Sequence, residues 1–177
     1  MPTSTKDFDA EALYQALLGQ VRAALAGVTD AAIVGIHSGG AWLAERLAAD
    51  LGLQARLGSI DVSFYRDDYA KKGLHPDVKP TQIGFDVDRA TIVLVDDVLY
   101  TGRTTRAAIN VLFDYGRPSR IMLAALADRG GRELPVAADF VAVKVTLEGQ
   151  QSLALARAQD GKFTLTIEKD HAQSAIE

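Results

Sequence analysis

The 177 residues are 48% hydrophobic and 24% charged, which suits one globular domain spanning 1–177, and no apolar stretch reaches the roughly 18 residues that a membrane helix needs. Cysteine and a signal-peptide pattern are both absent, so we expect a cytoplasmic protein without disulfides or thiolate metal sites. Nineteen basic against 23 acidic residues leave a net charge of −4, which excludes a global field that attracts nucleic acid, although not a local basic patch.

Helix and strand patterns alternate along the first part of the chain. Residues 9–27 combine an Asp N-cap, apolar residues on one helical face and a terminal glycine, which predicts an amphipathic helix. The continuous apolar run 31–36 is typical of a strand buried on both faces. A second helical pattern contains Trp42, which we expect in the core rather than stacked on a base. Residues 57–65 then alternate as a strand.

The alternation resumes after a long charged segment. Residues 66–89 show little periodicity and predict a functional or disordered loop. Strand 91–95 is followed by a helical stripe that Gly116 ends. Further strands are predicted at 120–126 and 140–145 and, as an edge strand, at 163–167. Strands that alternate with helices predict an α/β fold with a parallel sheet covered on both faces, where ligands bind beyond the carboxyl ends of the strands.

Asp96 and Asp97 are adjacent acids at the end of the apolar run 92–95. Two carboxylates at the end of a buried strand repel each other and lose hydration unless hydrogen-bond donors or a cation satisfy them. The 2′- and 3′-hydroxyls of a ribose, with Mg²⁺ nearby, are suitable partners. A solvated turn that begins with Asp is the alternative interpretation.

The turn that follows the acid pair consists of Thr101, Gly102, Arg103 and Thr104 and leads into a helix. Glycine allows a ligand to approach the backbone closely, the threonine hydroxyls add donors, and a helix N-terminus suits a phosphate dianion. An ordinary threonine N-cap is the alternative. The order of apolar strand, acid pair, turn and helix favours a site for a sugar with vicinal hydroxyls and a phosphate.

This order, IVLVDDVLYTGRT over residues 92–104, resembles the phosphoribosyl pyrophosphate (PRPP) site of the type I phosphoribosyltransferases. From about residue 31 to 145 the chain also resembles the PyrR family of uracil phosphoribosyltransferases that can attenuate transcription. The matching blocks lie at 34–36, 59–68, 92–104, 116–119, 128–135 and 138–140. The resemblance implies the type I fold: a central, mainly parallel sheet flanked by helices, a small C-terminal hood within 146–177 and a flexible lid loop at about 66–89.

The resemblance also implies a role for each part of the site. Ribose hydroxyls would contact Asp96 and Asp97, and the ribose and 5′-phosphate would lie along Tyr100, Thr101, Gly102, Arg103 and Thr104. The pyrophosphate loop falls on His37, Ser38, Gly39 and Gly40. From the lid, Arg66, Lys71 and Lys72 would contact the negative charge of pyrophosphate. The two lysines also fit a pair of solvated loop residues with no role in the site. Asp128 and Arg129 are candidates for the base pocket, or else form a salt bridge within a turn.

The reaction implied is the transfer of phosphoribose from PRPP to uracil, which gives UMP and pyrophosphate with Mg²⁺ as cofactor. The transition state would resemble an oxocarbenium ion, so the protein would contribute mainly positioning and electrostatics. In 6-oxopurine phosphoribosyltransferases the position of Tyr100 holds an acid that contacts the purine, so a phenol here favours a pyrimidine. A phosphoribosyltransferase for another base stays possible at this point. A homodimer or higher homo-oligomer is expected by resemblance.

Basic residues that RNA-binding relatives carry are missing from this chain. Those relatives have a Lys-Thr-Arg-Gly loop where residues 37–40 read His-Ser-Gly-Gly. Their first helix carries several basic residues, whereas residues 9–26 here include one basic residue, Arg22. Because RNA binding depends on phosphate neutralisation, we expect RNA attenuation to be weakened or absent. The alternative is a UMP-sensing, RNA-binding regulator of pyrimidine genes with minor catalytic activity.

Overall fold

The computed structural model describes residues 8–63 and 80–169. Its helices are α1 (Ala10–Leu25), α2 (Gly39–Leu51) and α3 (Arg103–Tyr115), with a short 3-10 helix at Gln54–Arg56. Its strands are β1 (Ala31–Ile36), β2 (Leu57–Ile60), β3 (Gln82–Ile83), β4 (Thr91–Leu99), β5 (Arg120–Asp128), β6 (Phe140–Lys144), β7 (Gln151–Arg157) and β8 (Phe163–Lys169). Within these ranges no helix combines the length and the apolar character that crossing a membrane requires.

Within the described residues, the central sheet has six strands in the order β3-β2-β1-β4-β5-β6. All neighbouring pairs are parallel except β2 and β3, so the predicted α/β fold with a mainly parallel sheet is confirmed. From β1 the chain continues to β2 on one side, and from β4 it continues to β5 on the other. The strand order therefore reverses between β1 and β4, and a crevice opens there at their carboxyl ends.

The apolar run of β4 is buried because its side chains alternate between two cores. Val93 and Val95 pack in the cluster that contains the buried faces of α1 and α2. Ile92 and Leu94 pack in the cluster that contains the buried face of α3. A strand covered on both faces needs a continuous apolar sequence, which is why residues 91–95 could be predicted as a strand.

The predicted helix ends are present in the structure. The Asp9 carboxylate accepts a hydrogen bond from the Ala12 N–H at 3.0 Å, so Asp9 is the N-cap of α1. Gly27 follows the helix with a φ of +76°, in the left-handed region that glycine adopts without strain. α1 therefore begins and ends where its local sequence indicates.

Several predicted boundaries were wrong. β2 ends at Ile60 rather than at residue 65, while β4 runs on through the acid pair to Leu99 because it pairs with β5 as far as Asp128. The predicted loop 66–89 contains β3, which adds to the sheet edge beside β2. The lid candidates Arg66, Lys71 and Lys72 lie outside the described residues.

The predicted C-terminal hood is a two-stranded antiparallel hairpin, β7–β8, which packs on α1 and α2. Arg46 anchors it: its guanidinium pairs with Glu11 at 2.8 Å and lies 5.3 Å from the Phe163 ring centroid. The Glu11 carboxylate also accepts a hydrogen bond from the Phe163 N–H at 2.8 Å. The hydrogen bond from Arg46 holds the pKa of Glu11 below its ordinary value, so this carboxylate stays charged near neutral pH.

Candidate active site

A cleft of about 570 Å³ opens at the carboxyl ends of β1 and β4. It is lined by residues from two turns, the acid pair and the hood: Ser38, Gly39, Trp42, Asp96, Asp97, Val98, Leu99, Tyr100, Thr101, Gly102, Thr104, Thr105, Ser152, Leu153, Ala154 and Leu155. Eight of the residues that the sequence assigned to the PRPP site are in this set. His37 instead lines a smaller neighbouring cleft of about 260 Å³ with Ser59 and Gln82.

The acid pair lies inside β4 rather than in a turn after it. Asp96 is only 5% exposed, and its carboxylate accepts a hydrogen bond from the Asp97 N–H at 2.9 Å. The Asp97 carboxylate accepts one from the Val98 N–H at 2.8 Å. The solvated-turn alternative is therefore wrong for both acids, because β4 holds them at the cleft wall through its pairing with β5.

The turn at residues 37–40 contacts the acid pair directly. A Cβ atom on Gly39 would overlap the Asp97 carboxylate, and one on Gly40 would overlap the Val95 carbonyl and lie 3.0 Å from the Asp96 Cα. The His37–Ser38 peptide bond is cis. The absence of side chains at these two glycines thus allows the N-terminus of α2 to reach the carboxylates, which gives one continuous polar wall.

The turn at residues 101–104 needs glycine at its second position. Gly102 has a φ of +92° and is the N-cap of α3, with no side-chain capping bond, so the ordinary threonine-cap alternative is wrong. Thr101 instead accepts the Arg103 N–H through its hydroxyl at 3.2 Å. The Thr105 hydroxyl is buried at the same cleft and has no hydrogen-bond partner within the described part of the chain. The cleft therefore contains the start of a helix and several hydroxyl donors, a combination suited to an anion.

Tyr100 and Arg129 form a stack at the rim of the cleft. The Arg129 guanidinium carbon lies 3.9 Å from the Tyr100 ring centroid, and the ring is 47% exposed. Asp128 does not pair with Arg129; it pairs with Arg132 at 2.7 Å, so the predicted turn salt bridge is made by a different arginine. The Arg129 Nε is buried without an acceptor among the described residues.

Sequence reasoning missed the wall that the hood supplies. Residues 152–155 of β7 also line the cleft, although no strand was predicted there. Trp42 is half-buried: it packs against the core, as expected, and also lines the cleft. The alternation of leucine and alanine at 153–156 was the available signal for this strand.

Relatives with similar sequences cover nearly the whole chain. The sequence matches the family described as "Phosphoribosyl transferase domain" over residues 7–152. It is 51% identical over 170 residues to the bifunctional protein PyrR of Ralstonia nicotianae, covering 93% of this chain and 97% of the relative. The bifunctional protein PyrR of Pseudomonas aeruginosa is 45% identical over 165 residues, covering 92% and 95%.

Solved structures agree with this assignment. A purine phosphoribosyltransferase from Pyrococcus horikoshii superposes with a TM-score of 0.59 at 28% identity, covering 77% of this chain and 83% of that one. A hypoxanthine phosphoribosyltransferase from Staphylococcus aureus gives a TM-score of 0.60 at 18% identity, covering 83% and 80%, and shows the fold alone. The chain therefore carries a phosphoribosyltransferase domain of the type I fold and belongs to the PyrR family.

Proposed function

We propose that this protein transfers the phosphoribosyl group of PRPP to uracil, giving UMP and pyrophosphate. The observation that carries the proposal is that one cleft contains the acid pair, the 101–104 turn and the glycine turn at 38–39. A nucleotide precursor with two hydroxyls, a 5′-phosphate and a diphosphate presents complementary groups to these three parts. The match to the phosphoribosyl transferase family and the relatives named bifunctional protein PyrR support the phosphoribosyl transfer, and the choice of uracil is argued below from the cleft.

Each part of the cleft has a role in the proposed reaction. Asp96 and Asp97 accept hydrogen bonds from the ribose hydroxyls, and their charge favours the cationic sugar of the transition state. The turn at 101–104 binds the 5′-phosphate, and the turn at 37–40 binds pyrophosphate at the N-terminus of α2. The C1′–O bond breaks with its electron pair going to pyrophosphate. N1 of uracil forms the new bond to C1′, and its proton passes to solvent.

Magnesium fits this donor set, because adjacent carboxylates at the cleft wall provide the oxygen ligands that the ion prefers. The ion would be held mainly by PRPP oxygens, and Asp96 and Asp97 would interact with it from outside that set of oxygens. It would neutralise charge on the leaving diphosphate. Arg66, Lys71 and Lys72 would add further positive charge there from the lid. These three residues are assigned by resemblance.

The choice of uracil rests on the rim and the hood. At the rim, Tyr100 offers no carboxylate to a purine nitrogen, and its ring is occupied by Arg129. A guanidinium beside the pocket suits carbonyl oxygens, which uracil presents at two positions. Leu153 and Leu155 of the hood give the cleft an apolar surface that suits the flat face of a base.

The test is an assay of pyrophosphate release with PRPP, Mg²⁺ and one base at a time: uracil, orotate, hypoxanthine or adenine. We expect turnover with uracil to exceed that with each other base. Turnover with hypoxanthine alone would contradict the role given to Tyr100. Absence of turnover with any of the four would contradict the enzymatic function itself.

RNA regulation is proposed to be weak or lost. α1 carries a single basic residue, Arg22, and the turn at 37–40 contains only His37 in place of two cations. Because each phosphate contact contributes through a cationic side chain, we expect no nanomolar complex with pyrimidine leader RNA in a gel-shift assay at about 150 mM salt. A tight, sequence-selective and UMP-dependent complex would support the regulatory alternative instead.

A further inference from the structure

Arg132 joins three points of the chain around the 101–104 turn. Its guanidinium donates from Nη1 to the Tyr100 carbonyl at 2.7 Å and from Nη2 to the Asp128 carboxylate at 2.7 Å. Its Nε donates to the Val136 carbonyl at 2.8 Å. The side chains of Arg132 and Asp128 are only 23% and 16% exposed. A planar fork in which each of the three nitrogens donates a hydrogen bond has little freedom to move.

The segment 128–136, here called the bracket, makes further contacts with the same turn. The Thr101 carbonyl accepts hydrogen bonds from the backbone N–H groups of Glu133 at 2.9 Å and Leu134 at 3.1 Å. The Val136 side chain lies beside Gly102, where a Cβ atom would be 3.2 Å away. The bracket therefore covers one whole side of the turn.

Residues 132–136 of the bracket contact the turn and do not line the cleft, whereas Arg129 stacks on Tyr100 at its rim. Tyr100, Thr101, Gly102 and Thr104 line the cleft, whereas none of residues 128–136 does. The peptide bonds of the turn are trans, so each C=O and the N–H of the next residue point in opposite directions. Holding the carbonyls of Tyr100 and Thr101 against the bracket therefore directs the next two N–H groups, those of Thr101 and Gly102, away from the bracket.

Asp128 keeps Arg132 in this orientation. Burial raises the pKa of the Asp128 carboxyl, but the hydrogen bonds from Arg132 and from the Gly130 N–H outweigh burial, and the net pKa is below the ordinary value. The carboxylate is thus charged at neutral pH and pairs with Arg132. Its assignment to the base pocket stays a prediction.

We propose that Arg132 is a positioning residue that presents the N–H groups of the 101–104 turn to the 5′-phosphate of the nucleotide substrate. The inference rests on the proposed function and adds a residue that never touches the ligand. A purely structural arginine would affect folding stability alone. A positioning arginine affects the affinity for phosphate-bearing ligands while it leaves the affinity for the free base almost unchanged.

The test compares Arg132→Lys, Arg132→Gln and Arg132→Ala with wild type. We expect the KM for PRPP and the Kd for UMP to rise roughly 10- to 100-fold, and the KM for uracil to change by less than about threefold. Lysine keeps the charge but cannot form the fork, so Arg132→Lys should also show the rise. Added guanidinium at millimolar concentration should restore PRPP binding to Arg132→Ala.

Arg120→Gln is the matched control, because Arg120 is an exposed arginine at the first residue of β5, at the other end of that strand from Asp128, and its loss leaves the bracket intact. It should leave all three constants within about twofold of wild type. Failure of the wild type to turn over any base would overturn the proposed function. Unchanged PRPP and UMP constants in folded Arg132→Lys and Arg132→Gln, with only the Tm lowered, would overturn the role of Arg132 alone.

Discussion

Replacing Asp97 with asparagine is expected to lower kcat/KM for PRPP by roughly 10²- to 10³-fold, about 3–4 kcal/mol of transition-state stabilisation. Asparagine keeps the size of the side chain and an oxygen that accepts the Val98 N–H. It removes the charge that would bind ribose hydroxyls and stabilise a cationic sugar. Asp96→Asn should show a loss of the same order. Initial rates at saturating uracil and varied PRPP give the measurement.

The acid pair should matter for catalysis rather than for folding. Adjacent carboxylates repel, so removing the charge at Asp97 should hold or raise the Tm while activity falls. Asp114→Asn on the exposed side of α3 is the matched control and should leave kcat/KM within about twofold of wild type. If Asp97→Asn turned over PRPP at the wild-type rate, the carboxylate would have no role in the reaction.

The sequence was most informative where local chemistry decides the structure. The apolar runs of β1 and β4 could be predicted because both faces of each strand are buried. The N-cap at Asp9 could also be predicted, since capping depends on the residue itself, whereas the positive φ of Gly102 was found only in the structure. The same locality made the strand, acids, turn and helix of 92–104 recognisable as one unit.

Contacts between distant segments could not be predicted in this way. The acids Asp96 and Asp97 have low strand propensity, but pairing with β5 overrides it and extends β4. The hydrogen bond from Arg132 to the Tyr100 carbonyl joins residues separated by 32 positions, so no local pattern indicates it. The contact of Gly39 with Asp97 likewise exists only after β1 and β4 lie side by side.

Replacing Gly40 with alanine is expected to have the largest effect on stability and to abolish activity. The added Cβ would overlap the Val95 carbonyl and approach the Asp96 Cα to 3.0 Å, and both are backbone groups of a central strand that cannot move aside. Moving α2 away from β4 would loosen the core cluster that α2 shares with α1 and β4. We expect this to lower the free energy of unfolding by about 3 kcal/mol or more. Chemical denaturation followed by circular dichroism measures the free energy of unfolding.

Gly19→Ala is the matched control for this substitution. Gly19 lies within α1 and has no atom within 4 Å of the position that a Cβ would take. Alanine there should stabilise the protein by about 0.5–1 kcal/mol, because it reduces the backbone entropy of the unfolded chain. If the free energy of unfolding falls for Gly40→Ala and rises for Gly19→Ala, the loss at Gly40 comes from the close approach of α2 to the acid pair and not from replacing a glycine as such. If Gly40→Ala were as stable and active as wild type, α2 would not need to reach the carboxylates, and the turn at 37–40 would lose its place in the site.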